Sequence, residues 1–281
     1  MAQSENVQAA AAWLKSVKIG FLGCGNMAQA MINGFIKSNL VPAENIVVSA
    51  TCTTSKNYLA CQKLDVQCTT NNEDVCRAAK IVFVAVKPHL VRPVLSKCSF
   101  PKDTLLISVA AGVKLSVLGE TSRVQQLVRA MPNTGACVQQ GVTVYAYDQA
   151  AVIAPVRQAA IAMLMESLGF ARYVPESQIE PISAVSGSGI AYMYMALEAM
   201  ADGAVKAGIQ RSLAYDLASH TMMGAAAMVK ETGQHPGALK DAVCSPGGST
   251  IAGVHALEKS GFRAAMMDAV EAAFTRVKQL G

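Results

Sequence analysis

Flat rings are scarce in this sequence: aromatics make up 5% of its 281 residues, with a single Trp, and there are only four His. The Lys and Arg residues stand singly and never gather into a run with interleaved aromatics. A surface that stacks bases and tracks phosphates is therefore excluded, and the formal net charge of +5 reads as a solvated face suited to small anions. The eight cysteines, at 24, 52, 61, 68, 76, 98, 137 and 244, include no C-x-x-C pair, and no His stands at zinc-ligand spacing. Neither a metal cage nor a redox dithiol is expected, and the thiols read as reduced and buried. Long apolar runs are also missing, since Arg157, Glu198 and Asp202 interrupt the richest segments before the roughly 18 to 20 residues that a bilayer needs. Residues 1–18 carry Glu5, Lys15 and Lys18 around an alanine stretch, which matches neither a secretory signal nor an Arg-rich transit peptide. The expected location is the cytoplasm, with no membrane and no nucleic acid as partner.

What is present is a hydrophobic fraction of 52%, enough for one large or two ordinary domains. From Val17 to Val174, β-rich runs alternate with helical patterns, the texture of a parallel sheet covered by helices. The runs are 18–22, 46–50, 81–86, 104–110, 123–131, 142–147 and 172–174. After Pro175 the β-branched runs stop, and Ala, Met, Leu and Gly recur at helical spacing through 190–207 and 214–229. The expected fold class is α/β, with a Rossmann dinucleotide-binding domain over 17–174 and an all-α domain over 175–281. Helices such as 191–197, apolar or small almost all round, point to packing against another subunit.

Lys18 to Ala28 reads as a buried strand running into G-x-G-x-x-A, followed by a helix over 29–38. Gly23 allows the tight turn, Gly25 lets backbone approach a pyrophosphate, and Ala28 lets helix and strand close up, while the helix start offers amides to phosphate. The second strand ends in Ser49-Ala50-Thr51 with no acid to hold a ribose, which favours NADPH over NADH. The hydroxyls of Ser49 and Thr51, with Lys56 nearby, are candidates for a 2′-phosphate. Two later strand ends, Ala85-Val86-Lys87-Pro88-His89 and Ser108-Val109-Ala110-Ala111-Gly112, should face the same cofactor, because open α/β sheets bind ligands at the carboxyl edge of their strands.

Asp241 to Glu258 contains Ser245-Pro246-Gly247-Gly248-Ser249-Thr250, an irregular loop followed by a helix start with hydroxyl residues. This stretch resembles the signature of the pyrroline-5-carboxylate reductase family. The resemblance extends through the Gly loop, 85–89, 108–112, Met-Pro-Asn-Thr at 131–134, Ser-Gly-Ser-Gly at 186–189 and Gln-His-Pro-Gly at 234–237, and is nearest to a cytosolic-type branch. It departs at Gly233, where a Glu can occur, and at Ala242, where an Asn can occur. The resemblance implies NAD(P)H-dependent reduction of 1-pyrroline-5-carboxylate to L-proline by a homodimer, commonly built into a decamer, with each active site completed at the dimer interface. It also implies cofactor contacts at Leu22, Gly23, Cys24, Gly25, Asn26, Met27, Ser49, Asn72, Ala85, Val86, Lys87, Pro88, Val109, Ala110 and Ala111, and substrate contacts at Glu176, Gly248, Ser249 and Thr250.

Hydride transfer to an imine carbon asks the protein mainly for positioning and for a hydrogen bond or charge at the nitrogen. Thr250 is the candidate for that bond and the catalytic residue, the amides of 248–250 for the carboxylate, and Glu176 for the iminium charge. His89, His235 and His255 sit in Pro-flanked turns or on a helix and read as structural, and Cys24 as a small filler. The rival enzyme readings are a β-hydroxyacid dehydrogenase, with Lys206 as its proton-transfer group, or another imine reductase. The rival outside enzymes is a nucleotide-sensing module.

Overall fold

A computed structural model describes residues 2–148 and 153–280. The chain forms two compact units, one of residues up to Gly187 together with those from Phe274 onward, the other Ser188–Ala273. In chain order the first unit runs α1 (Ala2–Ser16), β1 (Ile19–Leu22), α2 (Asn26–Lys37), β2 (Ile46–Ser49), α3 (Lys56–Gln62), β3 (Gln67–Thr69), α4 (Asn72–Ala78), β4 (Ile81–Val84), α5 (Val91–Leu95), β5 (Leu105–Ser108), α6 (Leu115–Ser122), β6 (Gln126–Pro132), β7 (Gly141–Tyr147), α7 (Pro155–Glu166), β8 (Gly169–Tyr173) and α8 (Ile179–Ser186). The strands form one sheet in the order β3-β2-β1-β4-β5-β6-β7-β8. Every residue of β1, β2, β4 and β5 is buried, as expected of strands covered on both faces. Phe21 of β1 stacks on Phe83 of β4 at 4.8 Å, with Phe35 of α2 closing the cluster.

The sheet departs from the all-parallel expectation at one place: β6 and β7 pair antiparallel, and β7 then pairs parallel with β8. Asn133 organises that reversal. Its Oδ1 accepts from Gly135 N at 3.1 Å and Val142 N at 3.0 Å, while its Nδ2 donates to Ser186 O at 2.9 Å. Two elements were not anticipated. β3 is three residues long and not fully buried, so it leaves no apolar run. α1 buries Ala10 and Leu14 in the main core and packs on α7, with Arg157 over the Trp13 ring at 5.2 Å. Arg123, expected to open a strand, instead ends α6 in the left-handed conformation with φ 58°.

The second unit comprises α9 (Gly189–Lys206), α10 (Arg211–Thr232), α11 (Pro236–Ala242), α12 (Ser249–Lys259) and most of α13 (Phe262–Leu280). It is all helical, as expected, and as a compact unit it starts at Ser188, with the residues from 175 to 187 in the first unit. The reason is α8, whose Ile179 and Ile182 pack with Val144 and Ala146 of β7. Among the described residues, the buried apolar side chains of this unit are Ala201, Ala214 and Ala218. Met193, Tyr194, Met195, Leu213, Leu217, Met223, Met228 and Met267 are exposed. Gly233, where the chain departs from a Glu that can occur, ends α10 with φ +65°, a conformation that disfavours such a side chain.

Candidate active site

Strand register places the candidate residues. Thr69, Ser49, Leu22, Val84, Ser108 and Arg129 are successive Cα partners across β3, β2, β1, β4, β5 and β6, so they form one row. The segments that follow the first five of these residues leave the sheet at its carboxyl edge, on either side of the β1/β4 switch point, where open α/β sheets bind their ligands. Main-chain bonds continue the ladder past the strands: Ala85 N to Leu22 O at 2.9 Å, Val109 N to Val84 O at 3.1 Å and Gly23 N to Ser49 O at 3.2 Å. The edge therefore gathers Gly23 to Met27, Thr51, Asn72, Ala85 to Pro88 and Val109 to Ala111.

Gly23 adopts φ +101°, and a Cβ there would lie 2.9 Å from Ala85 O, so both its conformation and its surroundings require glycine. Gly25 caps α2 without any side-chain hydrogen bond, and nothing lies within 4 Å of where its Cβ would be. That open face leaves the main chain at the uncapped helix start accessible, the feature that suits a phosphate group. Ala28 is fully buried where α2 meets the core. Leu22 and Ala110 also turn their side chains into the core, which leaves main chain as their contribution to the edge.

The side chain of Ser49 is buried, and its hydroxyl donates to Phe21 O at 3.3 Å and accepts from Gly23 N at 3.4 Å. The hydroxyl thus holds the glycine turn, while Thr51 and Lys56 are exposed. Burial holds the Cys24 thiol above its ordinary pKa, in keeping with a filler.

A cavity of about 480 Å3 adjoins the row, bounded by Pro88, His89, Ala111, Gly112, Arg129, Met131, Ile179 and Ser183 among others. Arg129, which the sequence reading did not single out, lines this cavity. It lies 3% exposed between two carboxylates, with Nη1 3.2 Å from Glu176 Oε1 and Nη2 2.7 Å from Glu180 Oε1. Leu115 N also donates to Glu176 Oε1, at 2.7 Å. Glu176, expected at the substrate, thus has an oxygen committed to α6 and Arg129. A charge inside a run of strand residues was the available signal.

In the second unit, Pro246 to Gly248 form a turn, with Gly248 N bonded to Ser245 O at 3.0 Å, and Ser249 and Thr250 open α12. Both hydroxyl residues are exposed, and Gly248 supplies no side-chain cap. His235 caps α11, its Nδ1 accepting from Gly237 N at 3.0 Å, in line with a structural role. Lys206 lies in the last turn of α9. Among the described residues, no cluster of His, Cys, Asp and Glu could hold a metal ion.

Comparison with known proteins gives two separate family matches. The family model for pyrroline-5-carboxylate reductase dimerisation matches residues 176–280, and that for NADP oxidoreductase, coenzyme F420-dependent, matches 18–112. The pyrroline-5-carboxylate reductase of Pisum sativum is 42% identical over 267 residues, covering 94% of this chain and 96% of that protein. This chain belongs to the pyrroline-5-carboxylate reductase family. The Escherichia coli (strain K12) pyrroline-5-carboxylate reductase is 41% identical over 268 residues, 94% of this chain and 98% of that one. The crystal structure of Plasmodium falciparum pyrroline carboxylate reductase, with NADP bound, superposes with a TM-score of 0.86 at 30% identity and covers 95% of this chain and 99% of that chain. Membership of the pyrroline-5-carboxylate reductase family accounts for a Rossmann-type unit joined to helices that match a dimerisation model.

Proposed function

We propose that this chain is an NADPH-dependent oxidoreductase that reduces the C=N bond of 1-pyrroline-5-carboxylate to give L-proline. The observation that carries the proposal is the row of strand ends bearing the glycine turn and uncapped α2, in a chain that also holds the Ser-Pro-Gly-Gly-Ser-Thr loop. When bound, the reduced nicotinamide supplies the hydride. The chain's own residues bind and orient. Gly23 to Met27 cradle the pyrophosphate, Thr51 and Lys56 face the 2′-phosphate, and Ala85 to Pro88 with Val109 to Ala111 flank the nicotinamide. Asn72, which opens α4, joins them.

The amides of Gly248 to Thr250 grip the substrate carboxylate, and the Thr250 hydroxyl hydrogen-bonds the ring nitrogen so that the neighbouring carbon is electrophilic. Glu176 contributes by holding Arg129 and α6 at the cavity wall. The site is completed at a dimer interface, and dimers assemble further, up to a decamer. Eight free cysteines suit the reducing cytoplasm.

The test is turnover of racemic pyrroline-5-carboxylate, followed by the absorbance of reduced nicotinamide, with NADPH and NADH in parallel. Wild type consumes NADPH, and Thr250→Ala lowers turnover by well over about threefold, the size of a lost hydrogen bond in the transition state. A smaller loss removes Thr250 from the chemistry. Turnover of hydroxyacids in place of the imine would favour the dehydrogenase reading instead.

A further inference from the structure

A phosphate site built from main-chain amides works only if the carbonyls of the same segment point elsewhere, because a carbonyl oxygen aimed at a phosphate repels it. In the turn after β1 hydrogen bonds from one residue meet that condition. Gly25 O accepts from Gln29 N at 3.0 Å, the first main-chain bond of α2. Cys24 O lies one residue outside the helix, and it accepts from the side chain of the same Gln29, through Nε2 at 2.8 Å. With Gly25 as the N-cap, Cys24 and Gln29 hold the position before the cap and the fourth position of the helix. An apolar contact often joins that pair and fixes the angle at which the chain enters the helix. A hydrogen bond joins it here.

The other proton of Gln29 Nε2 goes to Asn57 Oδ1 at 3.3 Å. Asn57 stands in the first turn of α3, the helix that follows β2, and β2 pairs with β1. That helix start is itself tied to the end of β2. Ser55 Oγ accepts from Tyr58 N at 3.2 Å and donates to Cys52 O at 3.0 Å, so the segment 51–56 is a capped turn and not a loose loop. Thr51 and Lys56, the proposed partners of the 2′-phosphate, lie at its two ends. One side-chain amide thus spans the turn that meets the pyrophosphate and the turn that meets the 2′-phosphate.

We propose that Gln29 is a positioning residue for the cofactor, which turns the Cys24 carbonyl away from the pyrophosphate and, through Asn57, couples that grip to the segment holding the 2′-phosphate. The proposal rests on the NADPH reading above and adds the device by which the two phosphate contacts support each other. A dinucleotide without the 2′-phosphate uses the first bond alone. One with it draws on both, since ordering either turn through a shared side chain favours the ordered form of the other.

The test is calorimetric titration of the full-length protein with NADPH and with NADH, beside KM and kcat for the imine and a thermal unfolding curve of each variant. Gln29→Met keeps the length of the side chain and removes its donors. It is expected to raise the Kd of both cofactors by roughly fivefold, the size of one net hydrogen bond, and to act on KM for NADPH more than on kcat. Asn57→Ala breaks only the link to α3, and is expected to raise the Kd of NADPH while leaving that of NADH unchanged. Asn57 is exposed, so this variant keeps the test open if Gln29→Met does not fold. Wild-type affinity for both cofactors in Gln29→Met, or an effect confined to kcat, overturns the positioning role. Equal weakening of NADPH and NADH by Asn57→Ala overturns the coupling. A wild-type protein that binds neither nicotinamide fails earlier, at the cofactor reading itself.

Discussion

Arg129 shows what one residue does that its neighbours in sequence do not announce. A guanidinium inside a strand loses its water, and only Glu176 and Glu180 make its burial tolerable. Removing it leaves two carboxylates facing each other across a cavity. Arg129→Ala is therefore expected to destabilise the fold by about 3 kcal/mol, toward the low end for a broken buried pair because Glu176 is partly exposed. Urea unfolding checks this, and a loss under about 1 kcal/mol would show that water replaces the guanidinium without penalty. At the same scale, Gly23 and Gly25 were legible because a positive φ and an open backbone face are written in the glycines themselves. The buried hydroxyl of Ser49 was not, since its partners come from β1 and the turn after it, far along the chain.

Elements were legible where their burial was complete. β1, β2, β4 and β5 are continuous apolar runs because both faces are covered, and their limits came within two residues of those read from the sequence. β3 and α1 escaped for opposite reasons: the first is too short and polar to signal, and the second is an alanine-rich segment whose apolar face has meaning only against α7. That contact gives a prediction for the element. Leu14 is fully buried in the main core, so Leu14→Ala is expected to cost about 2–5 kcal/mol, read as a lower unfolding midpoint. An unchanged midpoint would mean that α1 is a detachable arm and not part of the core.

At the scale of the molecule, the second unit presents more large apolar side chains to solvent than it buries. Met195 is 70% exposed and Met223 61%, on helices that match a dimerisation model. Large apolar side chains exposed in this number suit a partner surface. Met195→Glu is expected to shift sedimentation toward smaller species and, on the proposal that the site is completed between subunits, to lower activity in parallel. A variant that keeps both its size and its activity would place the contact elsewhere. No helix among the described residues is long and apolar enough to cross a membrane.

The sequence by itself determined the α/β texture, the glycine turn, the change to helices and the loop at 245–250, because each rests on contacts within a few residues or on a two- or four-residue period. Only the tertiary structure decided the β6/β7 reversal, the Arg129 carboxylate pair and the hydrogen bonds of the buried Ser49 hydroxyl. Each of these depends on which distant segment packs alongside, and burial in that packing sets both the hydrogen-bond partners and the cost of leaving a polar group without them.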